Sequence, residues 1–524
     1  MLIQGEIKSG TYFDSVTLMI AGRDLTASHG VLDAAVVMGT SENKALLKSA
    51  GLWLEEFEAA TDADLLVAVR AKNTEAAAAA LLECNKRLKK TGTHAADRGE
   101  LLPASLDGAL EALPGANLAL ISVAGRHAVH EAMQALKAGL HVMLFSDNVA
   151  VEAEIELKLL ARDKGLLVMG PDCGTAIING VPLGFANVVR RGHIGIVAAA
   201  GTGAQEVSSI LSNEGAGVSQ VIGTGGRDVK AKVGGIMYLE ALRALGDDPA
   251  THVIVLVSKP LDDCVLDHIG ATLQDINKPV IAAFVGVPAS MVERYGMVAA
   301  ATLEEASLFA ATLSNGLSVE SVRKKLEARE QESVILAQRE AARLSGSPKY
   351  IRGLFCGGTF CAETQVILQR WKIRGLHSNV PMASTAPLKD AWRSQQHTLI
   401  DFGEDALTIG RPHPMIDYSL RNRRIQEEAR DPECALILLD VVLGYGSNMD
   451  PVRELAGPIC EARRFAAEAG RYLIVACSTT GTAEDPQDRT RVENGLRQAG
   501  ALVFPSNAAA SQFAAHVVRR IEAQ

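Results

Sequence analysis

The second half of the chain is written twice, and that repetition limits the available folds more than any other feature. IGIVAAAGTGAQE, residues 194–206, aligns without gaps to IRGLFCGGTFCAE, residues 351–363, sharing an isoleucine, a Gly-Thr pair and the final glutamate. The order of parts then recurs. VSQVIGTGGRD is echoed by HTLIDFGEDAL, THVIVLVSKP by CALILLDVVLGYG, KPVIAAFVGVP by RYLIVACSTTGT, and YGMVAAATLEEA by GALVFPSNAAAS. Apolar runs of strand length alternate with helix-period segments, which gives βαβ units around mostly parallel sheets with right-handed crossovers. Two flavodoxin-like units in tandem, facing each other, follow.

The same alternation runs upstream, and 524 residues are too many for one hydrophobic core. Residues 1–97 predict a small α/β sandwich: a helix at 13–27, a strand at 32–38, a helix after Ser41, a strand at 64–69 and an Ala-rich helix at 74–89. The polar stretch KKTGTHAADRGE predicts a linker. Residues 98–190 read as a half-sized nucleotide-fold domain: strand NLALISV, a helix from His127 to Ala138, strand LHVMLFS, a helix from Val151 to Lys164, strand LLVMG and the turn GPDCGT. The two repeated units occupy 191–317 and 349–524, joined by a charged, amphipathic and exposed helical linker at 318–348.

A net charge of −9 leaves no basic face for nucleic acid or anionic lipid. The eight cysteines are widely spaced without a CxxC pair, which predicts reduced thiols in the cytoplasm rather than a disulfide frame or a metal site. The N-terminus lacks an apolar signal core, and no segment is long and charge-free enough to span a bilayer.

In each repeat a buried strand runs into a Gly-Thr turn and then a helix, so free N–H groups and the helix dipole point at one spot. Such a spot binds phosphate-like anions. The donors expected are Gly201, Thr202, Gly203 and Ala204 in the first copy, and Gly357, Gly358, Thr359 and Phe360 in the second. The alternative is that the glycines only permit a tight turn. Lys259 and Asp440 fall at the carboxyl ends of matching strands, where open α/β sheets place ligands, or are loop charges. In GRPHPMID two prolines stiffen the loop around Arg411 and His413, which suits either a catalytic pair or a structural corner. Cys173, in GPDCGT, is a candidate nucleophile without an activating base nearby in sequence, and so reads first as a buried structural thiol. Arg126 and His127 open a helix and either touch an anion or cap that helix.

Residues 116–203, from ANLALISVAGRH to IVAAAGTG, resemble the α subunit of succinyl-CoA synthetase, whose corresponding turn reads GPNC, and the likeness continues to about residue 313. Residues 350–520 resemble the carboxyl-terminal ligase domain of its β subunit. The combination of GRPHPMID with LDVVLGYGSNMDP resembles the FdrA family. The implied architecture is a multidomain α/β chain with a Rossmann-like CoA-binding-type domain and two tandem flavodoxin-like ligase domains.

Several departures stand out. Where succinyl-CoA synthetases carry phosphate on a histidine in a GHAGAI-like turn, this chain has Gly296, Met297 and Val298. The glutamate that orients that histidine corresponds to Ser258 or Lys259, and lysine suits a free anionic phosphate. The ATP-grasp half is missing, and residues 1–95 stand where the Gly-rich CoA turn belongs. The FdrA resemblance implies a subunit of oxamate carbamoyltransferase, which interconverts oxalurate plus phosphate with oxamate plus carbamoyl phosphate in allantoin breakdown. It also implies further subunits and an oligomer. On that reading Arg411 and His413 orient the oxalurate. Two other functions are open: an acyl-CoA synthetase subunit with a separate ATP-grasp partner and bound CoA, and a non-catalytic regulatory or scaffold subunit. No metal is expected.

Overall fold

A computed structural model describes residues 2–10, 13, 15–26, 28–96, 103, 105–344, 348–408 and 412–523. The chain divides into two compact units, one of residues 1–117 with 404–417 and one of residues 118–403 with 418–524.

The first unit holds an antiparallel sheet in the order β1-β3-β2, from β1 (Leu2–Lys8), β2 (Val31–Met38) and β3 (Leu65–Ala71). Its helices are α1 (Ser15–Thr26), α2 (Ser41–Ser49), α3 (Thr74–Ala96), α4 (Leu106–Ala112) and α14 (Asp405–Thr408). Strand alternation fills both faces. Leu65, Val67 and Val69 pack with Leu18, Leu25 and Cys84 on one side, and Leu66 and Ala68 pack with Leu47, Leu52 and Phe57 on the other. Two expectations are corrected. Residues 2–8 form an edge strand that the sequence hid, because glycine and charges dilute its apolar positions. The Ala-rich helix continues to Ala96 through much of the polar stretch expected to be a linker.

The second unit begins with a three-stranded parallel sheet, β4 (Leu118–Ile121), β5 (His141–Leu144) and β6 (Val168–Met169), with α5 (Gly125–Lys137) and α6 (Val151–Asp163) as crossovers. Two seven-stranded sheets follow. The first is ordered β13-β12-β11-β9-β10-β7-β8, from β7 (Thr175–Ile178), β8 (Val181–Gly184), β9 (Arg191–Ala198), β10 (Val218–Gly223), β11 (Val253–Ser258), β12 (Val280–Phe284) and β13 (Val298–Ala299). Its helices are α7 (Gly201–Asn213), α8 (Ile236–Asp247), α9 (Asp263–Thr272), α10 (Ala289–Glu293) and α11 (Leu303–Ser314). The second sheet is ordered β16-β15-β17-β14-β18-β19-β20, from β14 (Tyr350–Phe355), β15 (Leu376–Ser378), β16 (Ala386–Pro387), β17 (His397–Asp401), β18 (Cys434–Val442), β19 (Ile474–Thr480) and β20 (Leu502–Phe504). Its helices are α13 (Gly358–Arg370), α15 (Ser419–Arg430), α16 (Pro451–Glu468), α17 (Arg489–Gln498) and α18 (Asn507–Glu522).

Five strands correspond in order, β10-β9-β11-β12-β13 and β17-β14-β18-β19-β20, so the sequence repeat is a structural repeat; the outer pairs differ, β7 and β8 preceding β9 and running antiparallel, β15 and β16 following β14 and running parallel. Central strands such as β11 and β18 are buried along their whole length, as strands covered on both faces must be. The link between the copies is α12 (Glu320–Ala341). As expected it is an amphipathic, largely exposed helix: it packs one side along α18, burying Val322, Ala337, Glu340 and Ala341.

Candidate functional site: the paired helix starts

The two Gly-Thr turns meet. A Cβ on Gly203 would lie 2.9 Å from Val257 Cγ1 and 3.2 Å from Thr359 Cγ2, and one on Gly357 would lie 2.9 Å from Thr202 Cγ2. Each threonine methyl therefore rests against a glycine of the other start, a contact closer than any side chain at those positions permits.

The two starts are not equivalent. Helix α7 follows Ala200, whose extended backbone carries no side-chain cap. Its first bonded amide is that of Ala204, which donates to the Ala200 carbonyl at 3.0 Å. The N–H groups of Gly201, Thr202 and Gly203 are the orphan donors every helix start leaves, and among the described residues no side chain takes them. Gly201 is exposed, which makes this end reachable from solvent.

At α13 the protein supplies its own anion. Asp440 Oδ1 and Oδ2 accept from the amides of Cys356 and Gly357, both at 2.8 Å. Arg421 Nη1 donates to Asp440 Oδ1 at 3.0 Å and to its carbonyl at 2.6 Å, with both side chains fully buried. The Phe360 amide is already bonded to the Gly357 carbonyl at 3.0 Å. The expected set of eight donors is thus corrected. Ala204, Gly357 and Phe360 are engaged inside the protein, leaving Gly201, Thr202 and Gly203 on one side and Gly358 and Thr359 on the other. Asp440 is corrected too: it is a buried counter-ion for Arg421 that holds the turn before α13, not a ligand-facing charge.

Lys259 does reach the site. Its Nζ lies 2.8 Å from where a Cβ on Gly358 would stand, a position that Asp401 Oδ2 also crowds. The other oxygen of Asp401 accepts from the Gly403 amide at 2.9 Å. An ammonium and a carboxylate thus flank the start of α13, while the start of α7 carries neither.

The remaining candidates divide. Cys173 Sγ is buried against the carbonyls of Thr175 and Gly223, and burial pushes its thiol up to about 12, so it is structural. His413 takes a proton-free form: its Nδ1 accepts from the Met415 amide at 3.2 Å, and burial lowers its imidazole to about 4. It belongs to the unit containing 404–417, and Arg411 lies outside the described residues. Arg126 and His127 are exposed in the first turn of α5. Where a phosphohistidine would stand, Met297 is packed in the core at 3% exposure, just before β13. CoA does not fit as the resemblance implies: β4 is the edge of its three-stranded sheet, with no further strand and Gly-rich turn beside it among the described residues. No group of three or more metal-ligating side chains occurs among the described residues, and no helix there is long and apolar enough to cross a membrane.

Sequence reasoning missed Asp401, Arg421 and Asn507, and gave no role to the glutamate shared by the two copies. That glutamate is Glu206 on α7 and Glu363 on α13, both buried. Its repetition was the signal available.

Residues 1–102 match the model of the AllF heavy metal-associated domain, and residues 354–517 match the CoA-ligase family. Succinate–CoA ligase subunit alpha 2 of Archaeoglobus fulgidus is 28% identical over 34% of this chain and 63% of its own length. The ADP-forming sulfoacetate–CoA ligase subunit SauD of Bilophila wadsworthia is 25% identical over 34% of this chain and 63% of its own. YahF of Escherichia coli (strain K12) is 43% identical over 97% of both chains. An α/β chain with a CoA-ligase domain, aligned with YahF from end to end, belongs to the YahF family.

Proposed function

We propose that this chain is the ligase-type subunit of a cytoplasmic acyl-transfer complex, binding the phosphate of an acyl phosphate at the open start of α7 and passing the acyl group on without a phosphoenzyme. The observation that carries this reading is the asymmetry of the cradle. Neither start has a side-chain cap, but the amides leading into α13 are held by a buried Asp440–Arg421 pair, while the exposed start of α7 offers three unclaimed N–H donors. Ser258 or Lys259 corresponds, on the resemblance, to the glutamate that serves a phosphohistidine, and the stretch Gly296, Met297 and Val298 holds no histidine, with Met297 buried. Fixed donors aimed at a leaving phosphate stabilise the charge that develops on it, and holding an already activated group in position supplies much of the remaining catalysis.

Two acceptors fit this chemistry. Acid–thiol ligation, with a separate ATP-grasp partner supplying the acyl phosphate, has the support of the CoA-ligase match and of the succinate–CoA ligase relatives. Phosphate-dependent carbamoyl transfer, oxalurate plus phosphate to oxamate plus carbamoyl phosphate, is favoured by the absent histidine and by a β4 edge that lacks the CoA turn. It is also the activity the FdrA resemblance implies, with Arg411 and His413 as the residues that orient the substrate. The chain is to be assayed with the products of its neighbouring genes. Carbamoyl phosphate formed from oxalurate and phosphate identifies the second acceptor, and ATP-dependent acyl-CoA formation the first. A folded complex that does neither, and does not bind phosphate, contradicts the proposal.

A further inference from the structure

The two glutamates that the repeat shares are exchanged between the copies. Glu206, on α7 of the first copy, accepts from the Asn507 amide at 3.0 Å and so caps α18 of the second copy. Its other oxygen accepts from the Thr480 hydroxyl at 2.5 Å. Glu363, on α13 of the second copy, accepts from the Leu303 amide at 2.8 Å and so caps α11 of the first. Its other oxygen accepts from Asn507 Nδ2 at 2.8 Å. Asn507 therefore touches both carboxylates, one through its backbone and one through its side chain. That amide nitrogen also donates to the Phe360 carbonyl, in the first turn of α13, at 3.3 Å.

All three residues are buried, at 0–2% exposure, and two carboxylates in one dry cluster repel each other. Among the described residues no cation bonds to either of them: their partners there are two backbone amides, one hydroxyl and one side-chain amide. The charged groups around the cluster are few. Glu304 of α11 adds a further negative charge, itself forked onto Arg329 of α12, and Arg489 at the start of α17 acts on Glu206 from a distance. A second observation points the same way. Asn507 Oδ1 is buried without a donor. A carboxyl proton on Glu363 would supply one, once the Asn507 amide turns over to present that oxygen.

We infer that Glu206, Glu363 and Asn507 form a proton-holding lock between the two ligase-like copies, in which a solvent proton bound by Glu363 turns the Asn507 amide and releases the Phe360 carbonyl beside the paired helix starts. Burial and the neighbouring glutamates agree with this placement, since they raise the Glu363 carboxyl to about 7 and move Glu206 upward as well. The lock is a property of the fold and does not depend on which acceptor the complex uses.

The test is infrared difference spectroscopy of the full chain across neutral pH, following the carbonyl band of a protonated buried carboxyl. The expected result is a band that titrates with a midpoint near 7, disappears in Glu363→Gln, moves to lower pH in Glu206→Gln and persists in Glu327→Gln, an exposed control on α12. A band that is unchanged in Glu363→Gln overturns the inference. If the variants do not fold, wild-type protein carrying ¹³C-labelled glutamate decides. An isotope-shifted band that titrates near neutrality supports the lock, and its absence at about pH 6, well above the ordinary glutamate range, overturns it.

Discussion

At the scale of single residues, the site is governed by which charges find partners inside the protein. Asp440 and Arg421 are both fully buried and paired through Nη1, while Arg421 Nε and Nη2 are buried without a partner, so removing Asp440 strands the guanidinium. Asp440→Asn is expected to cost about 3–5 kcal/mol in urea unfolding, with a far larger effect than most surface changes, because Arg421 keeps its charge in a dry setting. Lys259 is different. Its ammonium stands beside the Asp401 carboxylate at the start of α13, which meets the start of α7, so Lys259→Met should weaken phosphate binding by roughly tenfold, read by calorimetric titration. The thiols sort by the same logic. Cys264 and Cys460 are exposed while Cys173, Cys361 and Cys477 are buried and pushed up to about 12, so brief alkylation followed by mass spectrometry should label the first two and spare the other three.

At the scale of elements, the sequence showed the helices and central strands because the periodicities that build them are local. The paired Gly-Thr turns were legible for the same reason, and their meeting follows from the repeat. Which donors are free was not legible, since Asp440 reaches the turn before α13 from a strand more than eighty residues away, a contact no local pattern encodes. The edge strand β1 was lost to weak alternation, while α12 was legible as an exposed amphipathic helix and only the partners of its buried Glu340 were not. Tyr472 and Arg343, for instance, both reach Glu340. The helix–helix contact itself gives a prediction. Gly203→Val forces bulk into a place where even a Cβ would stand 2.9 Å from Val257, and it should destabilise the fold by about 1–3 kcal/mol, the usual cost of overpacking, while lowering phosphate affinity.

At the scale of the whole molecule, pH links these features. The ordinary glutamate value is 4.5 and that of Glu363 is about 7, so the folded state binds a proton more tightly than the unfolded state between them. Stability from this group is therefore full at low pH and is lost as pH rises through 7. His397 and His413 act oppositely. Burial lowers both to about 4 from 6.5, so the unfolded state binds the protons and stability falls as pH drops through that window. The wild-type profile of thermal unfolding against pH should consequently be flatter above pH 5 than that of Glu363→Gln, which keeps the histidine slope and loses the opposing one. The sequence separates 1–97, 98–190, 191–317 and 349–524, whereas residues 118–403 with 418–524 form one compact unit, because contacts between neighbouring sheets leave no local pattern. The inclusion of residues 404–417 with the N-terminal unit was not legible either, since it depends on a return of the chain that no composition signals.

The central claim is that the start of α7 is a built phosphate site, and Gly201→Asp tests it most directly. Gly201 is exposed, and a Cβ there meets only Thr175 Oγ1, at 3.4 Å, so the side chain is accommodated and an acid in the first helical turn favours the helix. Calorimetric titration of the full chain with inorganic phosphate should show one site in the wild type and at least a tenfold loss of affinity in the variant, whose carboxylate takes the donors the anion needs. Equal phosphate binding by both proteins, or none by a folded wild type, would contradict the account.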